Sequence, residues 1–167
     1  MTLLAELKRK VEALNESAAI WWSPRSLALL ETTHYPATDS EREWADEILA
    51  LDQLLVEGFV ERELKRVAQT SGGSLPAHPG ALNSLIAALS ARGFREDDAI
   101  KVVAPLKALH HFRSKVRGHS SPREKEALIK KALLDFTSFR AHFLALASEC
   151  DASFERVLNG LGIACPD

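Results

Sequence analysis

The 167-residue chain is 46% apolar and 26% charged, a balance that supports one globular domain with a hydrophobic core of its own. It holds no run near the roughly 18 consecutive apolar residues of a membrane span, and its start, "MTLLAELKRKVEALNE", alternates charge with leucine where a signal peptide would be apolar, so a cytoplasmic protein is expected. Cys150 and Cys165 lack C-x-x-C spacing and indicate neither a zinc site nor a disulfide framework.

Leu4, Leu7, Val11 and Leu14 recur at steps of three and four, the spacing that lines one side of an amphipathic helix. After "AAIWW", Ser23 as N-cap and Pro24 at the first helical position predict a short helix to about Glu31. The segment "TTHYPAT" breaks it. Thr38 with Glu41 three residues on reads as a capping box, and Trp44, Ile48, Leu51, Leu55, Phe59 and Val67 carry one helical stripe toward Gln69, with a bend at Gly58. "TSGGSLPAHPG" is a polar loop by composition. Leu82, Leu85, Ile86 and Leu89 predict a further helix that Gly93 closes.

From about Glu96 the pattern predicts a long helix to Val116, kinked at Pro105 and ended by Gly118 in a left-handed conformation. Ser121, Pro122 and Glu124 open the next helix with a capping box and a proline at its first position. Its buried side is expected to run through Ile129, Leu133, Phe136, Phe139 and Phe143, making the two helices antiparallel neighbours. No strand-like alternation, internal repeat, Gly-rich phosphate loop or sustained heptad competes. The expected class is therefore all-α: an irregular helical bundle with long antiparallel core helices, a single domain over 1–167. Its N-terminal helices occupy 1–95 and its motif-bearing helices 96–167.

The net charge is −2, but its distribution is uneven. Glu31 to Glu63 carries ten acids against Arg42 and Arg62, whereas Lys101 to Lys131 carries nine bases against Glu124 and Glu126. The second window suits a polyanionic partner, RNA among them, or simply forms a solvated helix face.

On the long helix Val102, Leu106, Leu109, Arg113 and Val116 fall within about 40° of one line at 100° per residue. Arg113 thus sits in an apolar seam, where a guanidinium needs a carboxylate, a subunit interface or an anionic ligand. A structural ion pair with the acidic window is as well supported as a functional role. His119 lies in the turn after it, beside a helix N-terminus whose free N–H groups, with Arg117 and Arg123, favour a phosphate. Histidine supplies a proton-transfer group near neutrality and arginine a fixed charge for a phosphorane-like transition state. Those are the parts for cleaving RNA without metal, with the substrate's 2′-hydroxyl as nucleophile.

At "Arg113-Ser-Lys-Val-Arg-Gly-His119" the chain resembles the HEPN superfamily (higher eukaryote and prokaryote nucleotide-binding domains), small helical bundles that share an arginine, four to six residues and a histidine. The leucines of "PLKALHHFRSKV" fit the family's placement of this motif at a junction of core helices, and the likeness covers roughly Glu96 to Ala147. Ser114 and Ser120 stand where many members carry asparagine and a glycine or hydroxyl-bearing aromatic.

The resemblance implies a HEPN-like fold and a metal-independent endoribonuclease, a toxin or phage-defence effector, with Arg113 and His119 catalytic in a site completed across a homodimer. Ser114, Lys115, Arg117, Ser120 and Arg123 are the expected RNA or phosphate contacts. No cofactor, metal or membrane is expected, and an antitoxin is the kind of protein partner implied. Because numerous members are inactive, the alternative is a non-catalytic helical module that dimerises or binds a partner, with Arg113 as a structural ion pair.

The remaining candidates read as ordinary. His110 and His111 point about 100° apart on a helix and do not readily share an ion, so packing or solvent is expected for both. His34, His78 and His142 have no convergent carboxylates at ligand spacing. Glu43, Asp46 and Glu47 share a helix face that reads as a solvated acidic surface, and Trp21, Trp22 and Trp44 as core or interface anchors.

Overall fold

The structure, a computed structural model, describes residues 2–118 and 120–166. All the elements among them are helices: α1 (Leu3–Glu16), α2 (Leu27–Thr32), α3 (Glu41–Leu55), α4 (Glu61–Thr70), α5 (Ala81–Ala91), α6 (Glu96–Arg117), α7 (Pro122–Phe136) and α8 (Phe139–Gly160). The all-α bundle expected from the periodicity is the architecture found. No helix among the described residues is long and apolar enough to cross a membrane.

Between Ser23 and Val60 the chain departs from expectation where tertiary contacts override local signals. Ser23 and Pro24 do not start α2, because Ser23 N donates to Gly58 O at 2.7 Å and Val60 N donates to Trp21 O at 2.9 Å, which holds this segment extended. The helix begins instead after Ser26, whose hydroxyl accepts from Leu29 N. The same bridge divides the single helix expected to run to Gln69 into α3 and α4. Gly58 is required there by space: a Cβ would lie 2.3 Å from the Trp22 ring. The α3 cap is Ser40 and not Thr38, since the Thr38 hydroxyl donates to the Glu43 carboxylate.

Gly93 takes a positive φ of 110° after α5, as its place predicts. Long helix α6 continues through Pro105. Gly118 is a correction: it is extended, with φ −98° and ψ −162°, and glycine is needed because a Cβ would meet Ser114 O at 2.2 Å. The capping box of Ser121 and Glu124 forms as read, with Pro122 in the first turn. The helix it opens ends early. Thr137 turns left-handed at φ 64°, and Ser138 caps a separate α8.

The core is built on α3, α6 and α8, with Trp44, Phe143 and Phe154 fully buried. Pairs between Asp46 and Arg117 and between Asp52 and His110 set α3 antiparallel to α6. Ser153 Oγ donating to Val102 O and the contact of Cys150 Sγ with Pro105 O do the same for α8. Trp44 Nε1 donates to His142 Nδ1 at 3.1 Å, and Lys10 of α1 reaches Asp151 of α8 at 2.8 Å. The main neighbours of α6 are thus α8, α3 and α5, with α7 a lesser one. On α7 only Ala132 is buried, so the continuous buried face expected from Ile129 to Phe143 is divided between two helices.

Candidate functional site

Asp52 lies in α3 among Leu51, Leu54 and Leu55, and the helical turn that buries those leucines takes its carboxylate inside with them. The carboxylate has no solvent exposure. Two side chains one turn apart on α6 answer it. His110 Nδ1 lies 3.0 Å from Oδ1 and 3.3 Å from Oδ2, and Arg113 Nε lies 3.7 Å from Oδ2. At that distance the arginine contact is electrostatic, and Nε has no hydrogen-bond partner. Burial pushes the Asp52 carboxyl above the usual carboxylate range, against the opposing pull of His110 and Arg113.

Arg113 also reaches Glu57 Oε1 through Nη2 at 3.4 Å, and its side chain remains 33% exposed. The seam position read from the sequence is therefore resolved by two carboxylates from the acidic window. His110 is the more open partner of Asp52, with its side chain 49% exposed. It faces a cleft of about 660 Å³ between the end of α3, the start of α5 and the flank of α6, lined by Glu57, Asn83, Lys107, His111 and Ser114 over apolar Val56, Phe59 and Leu82. Lys107 Nζ spans it to Asn83 Oδ1 at 2.7 Å.

The other expected contacts lie toward the C-terminal end of α6. Ser114 lines the cleft and its hydroxyl donates to His111 O at 2.9 Å. Lys115 lies 3.4 Å from Glu124, Arg117 pairs with Asp46, and the Ser120 hydroxyl donates to Lys115 O. Arg123 is exposed in the first turn of α7. His119, the expected catalytic histidine, lies outside the described residues. With Lys125 and Glu41, 3.7 Å apart, the Arg117–Asp46 and Arg113 pairs lay part of the basic window against the acidic one, whereas Lys115 and Glu124 pair within the basic window. Three of the nine bases in that window, Arg113, Arg117 and Lys125, thus meet carboxylates of the acidic window within the fold.

The acidic face of α3 is equally divided. Glu43 accepts from Ala37 N and Thr38 N, Asp46 holds Arg117, and Glu47 holds His34 at 3.3 Å. Among the described residues no group of three histidine, cysteine or carboxylate side chains gathers as a metal site. His142 is a core residue whose pKa burial lowers to about 4. A further cleft of about 700 Å³ under the Ser71–His78 loop is lined mainly by small and loop residues and adjoins the first at Asn83 and Lys107.

The sequence predicts packing or solvent for His110, where the structure pairs it with buried Asp52, and it assigns no site role to Asp52, Glu57 or Lys107. A signal for them exists: Lys107, His110, His111 and Ser114 are spaced i, i+3, i+4 and i+7, a polar stripe beside the apolar seam. A single carboxylate inside the leucine run of α3 is the complementary sign. No family model, no curated protein and no solved structure matches the chain.

Proposed function

We propose that this chain is a metal-independent endoribonuclease of HEPN type, acting through Arg113 and His119. The observation that carries the reading is the guanidinium of Arg113, fixed by Asp52 and Glu57 near the end of α6 and separated from His119 by five residues in the sequence. A guanidinium held in place and still one-third exposed supplies positive charge to a phosphoryl group with little reorganisation. The 2′-hydroxyl of RNA attacks the adjacent phosphorus, histidine moves protons, and the products carry 2′,3′-cyclic phosphate and 5′-hydroxyl ends. Ser114, Lys115, Arg117, Ser120 and Arg123 contact the RNA backbone, with Lys115 and Arg117 exchanging their carboxylate partners for phosphate.

The active form in this reading is a cytoplasmic homodimer, a toxin or defence effector restrained by an antitoxin-like protein. Exposed Leu133, Leu134 and Phe136 on α7, just beyond the motif, support an apolar association face. The test is incubation with labelled structured and single-stranded RNA in EDTA. Wild type is expected to leave cyclic phosphate ends, and Arg113→Ala and His119→Ala to lose cleavage by about 10²-fold or more.

A second reading has its own support. The two carboxylates facing Arg113 balance its charge as a structural ion pair, which is the arrangement a non-catalytic dimerisation or partner-binding module would have. Absence of cleavage by folded wild-type protein across many RNAs would select it.

A further inference from the structure

The Asp52–His110 pair has a geometry that the Arg113 and His119 chemistry does not use. A carboxylate fixed on one ring nitrogen sets the tautomer and orientation of a histidine and stabilises the imidazolium formed when the other nitrogen takes a proton. Asp52 is fully buried and holds Nδ1 at 3.0 Å, so Nε2 is the nitrogen left for chemistry. The half-exposed ring lines a cleft with an apolar floor, and Lys107, His111 and Ser114 stand beside it on the same helix face. Arg113, one turn on, shares the same carboxylate. A proton acceptor and a phosphate-stabilising charge are thereby ordered by one buried group within a single chain.

We propose that His110, oriented by Asp52, is the general base that takes the 2′-hydroxyl proton of RNA bound in the α3–α5–α6 cleft. The inference rests on the ribonuclease reading above and assigns it a second histidine. In the step, the proton passes from O2′ to His110 Nε2 as the O2′–P bond forms and the P–O5′ bond breaks. O5′ leaves and takes a proton from water, and exchange with water returns His110 to its starting state. Asp52 touches no substrate and is a positioning residue. The charged groups around the His110 ring are Asp52 from α3, Glu57 from the turn that follows it, and Lys107, His111 and Arg113 from α6; α5 contributes neutral Asn83.

The test compares wild type, His110→Ala and Asp52→Asn on two RNA substrates in EDTA, one natural and one with a 5′-bridging sulfur at the scissile phosphate. Sulfur leaves without protonation, so only loss of the base is felt on the second substrate. His110→Ala is expected to lose about 10²–10⁴-fold in kcat on both, with partial recovery in added imidazole. Asp52→Asn is expected to lower kcat with KM little changed, and thermal unfolding checks that both variants are folded.

Two outcomes overturn the assignment alone: a cleaving wild type with a His110→Ala variant of unchanged rate, or a His110→Ala defect that the sulfur substrate abolishes. A wild type that cleaves neither RNA overturns the ribonuclease reading and this assignment together.

Discussion

His110 Nδ1 stands 3.0 Å from Asp52 Oδ1, joining a half-exposed ring on α6 to a carboxylate with no solvent exposure on α3. That one carboxylate also faces Arg113, so its loss affects two side chains. Breaking a fully buried ion pair typically costs about 3–5 kcal/mol, chiefly by stranding the remaining charge. Arg113 is not stranded, because it reaches both Glu57 and water. Asp52→Ala is therefore expected to destabilise by about 2 kcal/mol, below the range for a sealed pair. Asp52→Asn keeps an acceptor for His110 and is expected to cost less. Urea unfolding of the three proteins checks the order; an Asp52→Ala loss equal to that of a sealed pair would show that Arg113 cannot use its other contacts.

Gly58 is expected to be intolerant of the smallest side chain. Its added Cβ would lie 2.3 Å from the ring of Trp22, and that ring is not free to retreat. It packs edge-on against Phe59 and Phe154, and its Nε1 donates to Asn15 Oδ1 at 2.9 Å. Overpacking of this kind costs about 1–3 kcal/mol. Gly58→Ala should lose stability in that range, with the midpoint of denaturant unfolding lowered and a change in Trp fluorescence from the displaced indole.

His142 gives the fold a specific acid weakness. Its ring is buried against Trp44, Phe112 and Phe136, and burial lowers its pKa from 6.5 to about 4. The unfolded chain therefore binds this proton at a higher pH than the folded chain does. Stability from this group is complete above pH 6.5, falls as pH drops from 6.5 to about 4, and changes no further below that. The loss is on the order of 3 kcal/mol. Asp52 and Glu47, raised by burial, act in the opposite direction over the acid range. His142→Gln retains an acceptor for Trp44 Nε1 and is expected to flatten the fall in melting temperature between pH 6.5 and 4. A variant with the wild-type slope would assign that slope to other groups.

The helical class was legible because periodicity is a property of each segment alone, and the seam from Val102 to Val116 buries as its spacing requires. Boundaries were legible where the signal was local, as at Ser121 and Glu124. They were misplaced where a distant residue intervened: Trp21 and Trp22 pair with Phe59 and Val60 across more than thirty residues and break two elements at once. The same limit separates Arg113 from His110. An arginine in an apolar seam announces its need for a carboxylate, and the acidic window supplied Asp52 and Glu57. A histidine beside that seam announces nothing until the carboxylate has a position.

The last prediction concerns α7, which follows the motif and buries only Ala132. Leu134 is 80% exposed, and Leu133 and Phe136 are each more than one-third exposed. An apolar side chain already in water contributes almost nothing to the stability of the monomer, so Leu134→Glu should change unfolding free energy by less than about 0.5 kcal/mol. If α7 forms the proposed dimer face, the same substitution places two carboxylates at a two-fold contact, where desolvation and like-charge repulsion oppose association. Light scattering after size-exclusion chromatography is expected to show a wild-type dimer and a Leu134→Glu monomer of unchanged melting temperature. A variant that remains dimeric would place the interface elsewhere. A wild type that is monomeric at working concentration would leave the proposed two-fold site without its second half, whereas the Asp52, His110 and Arg113 group lies within one chain and would be unaffected.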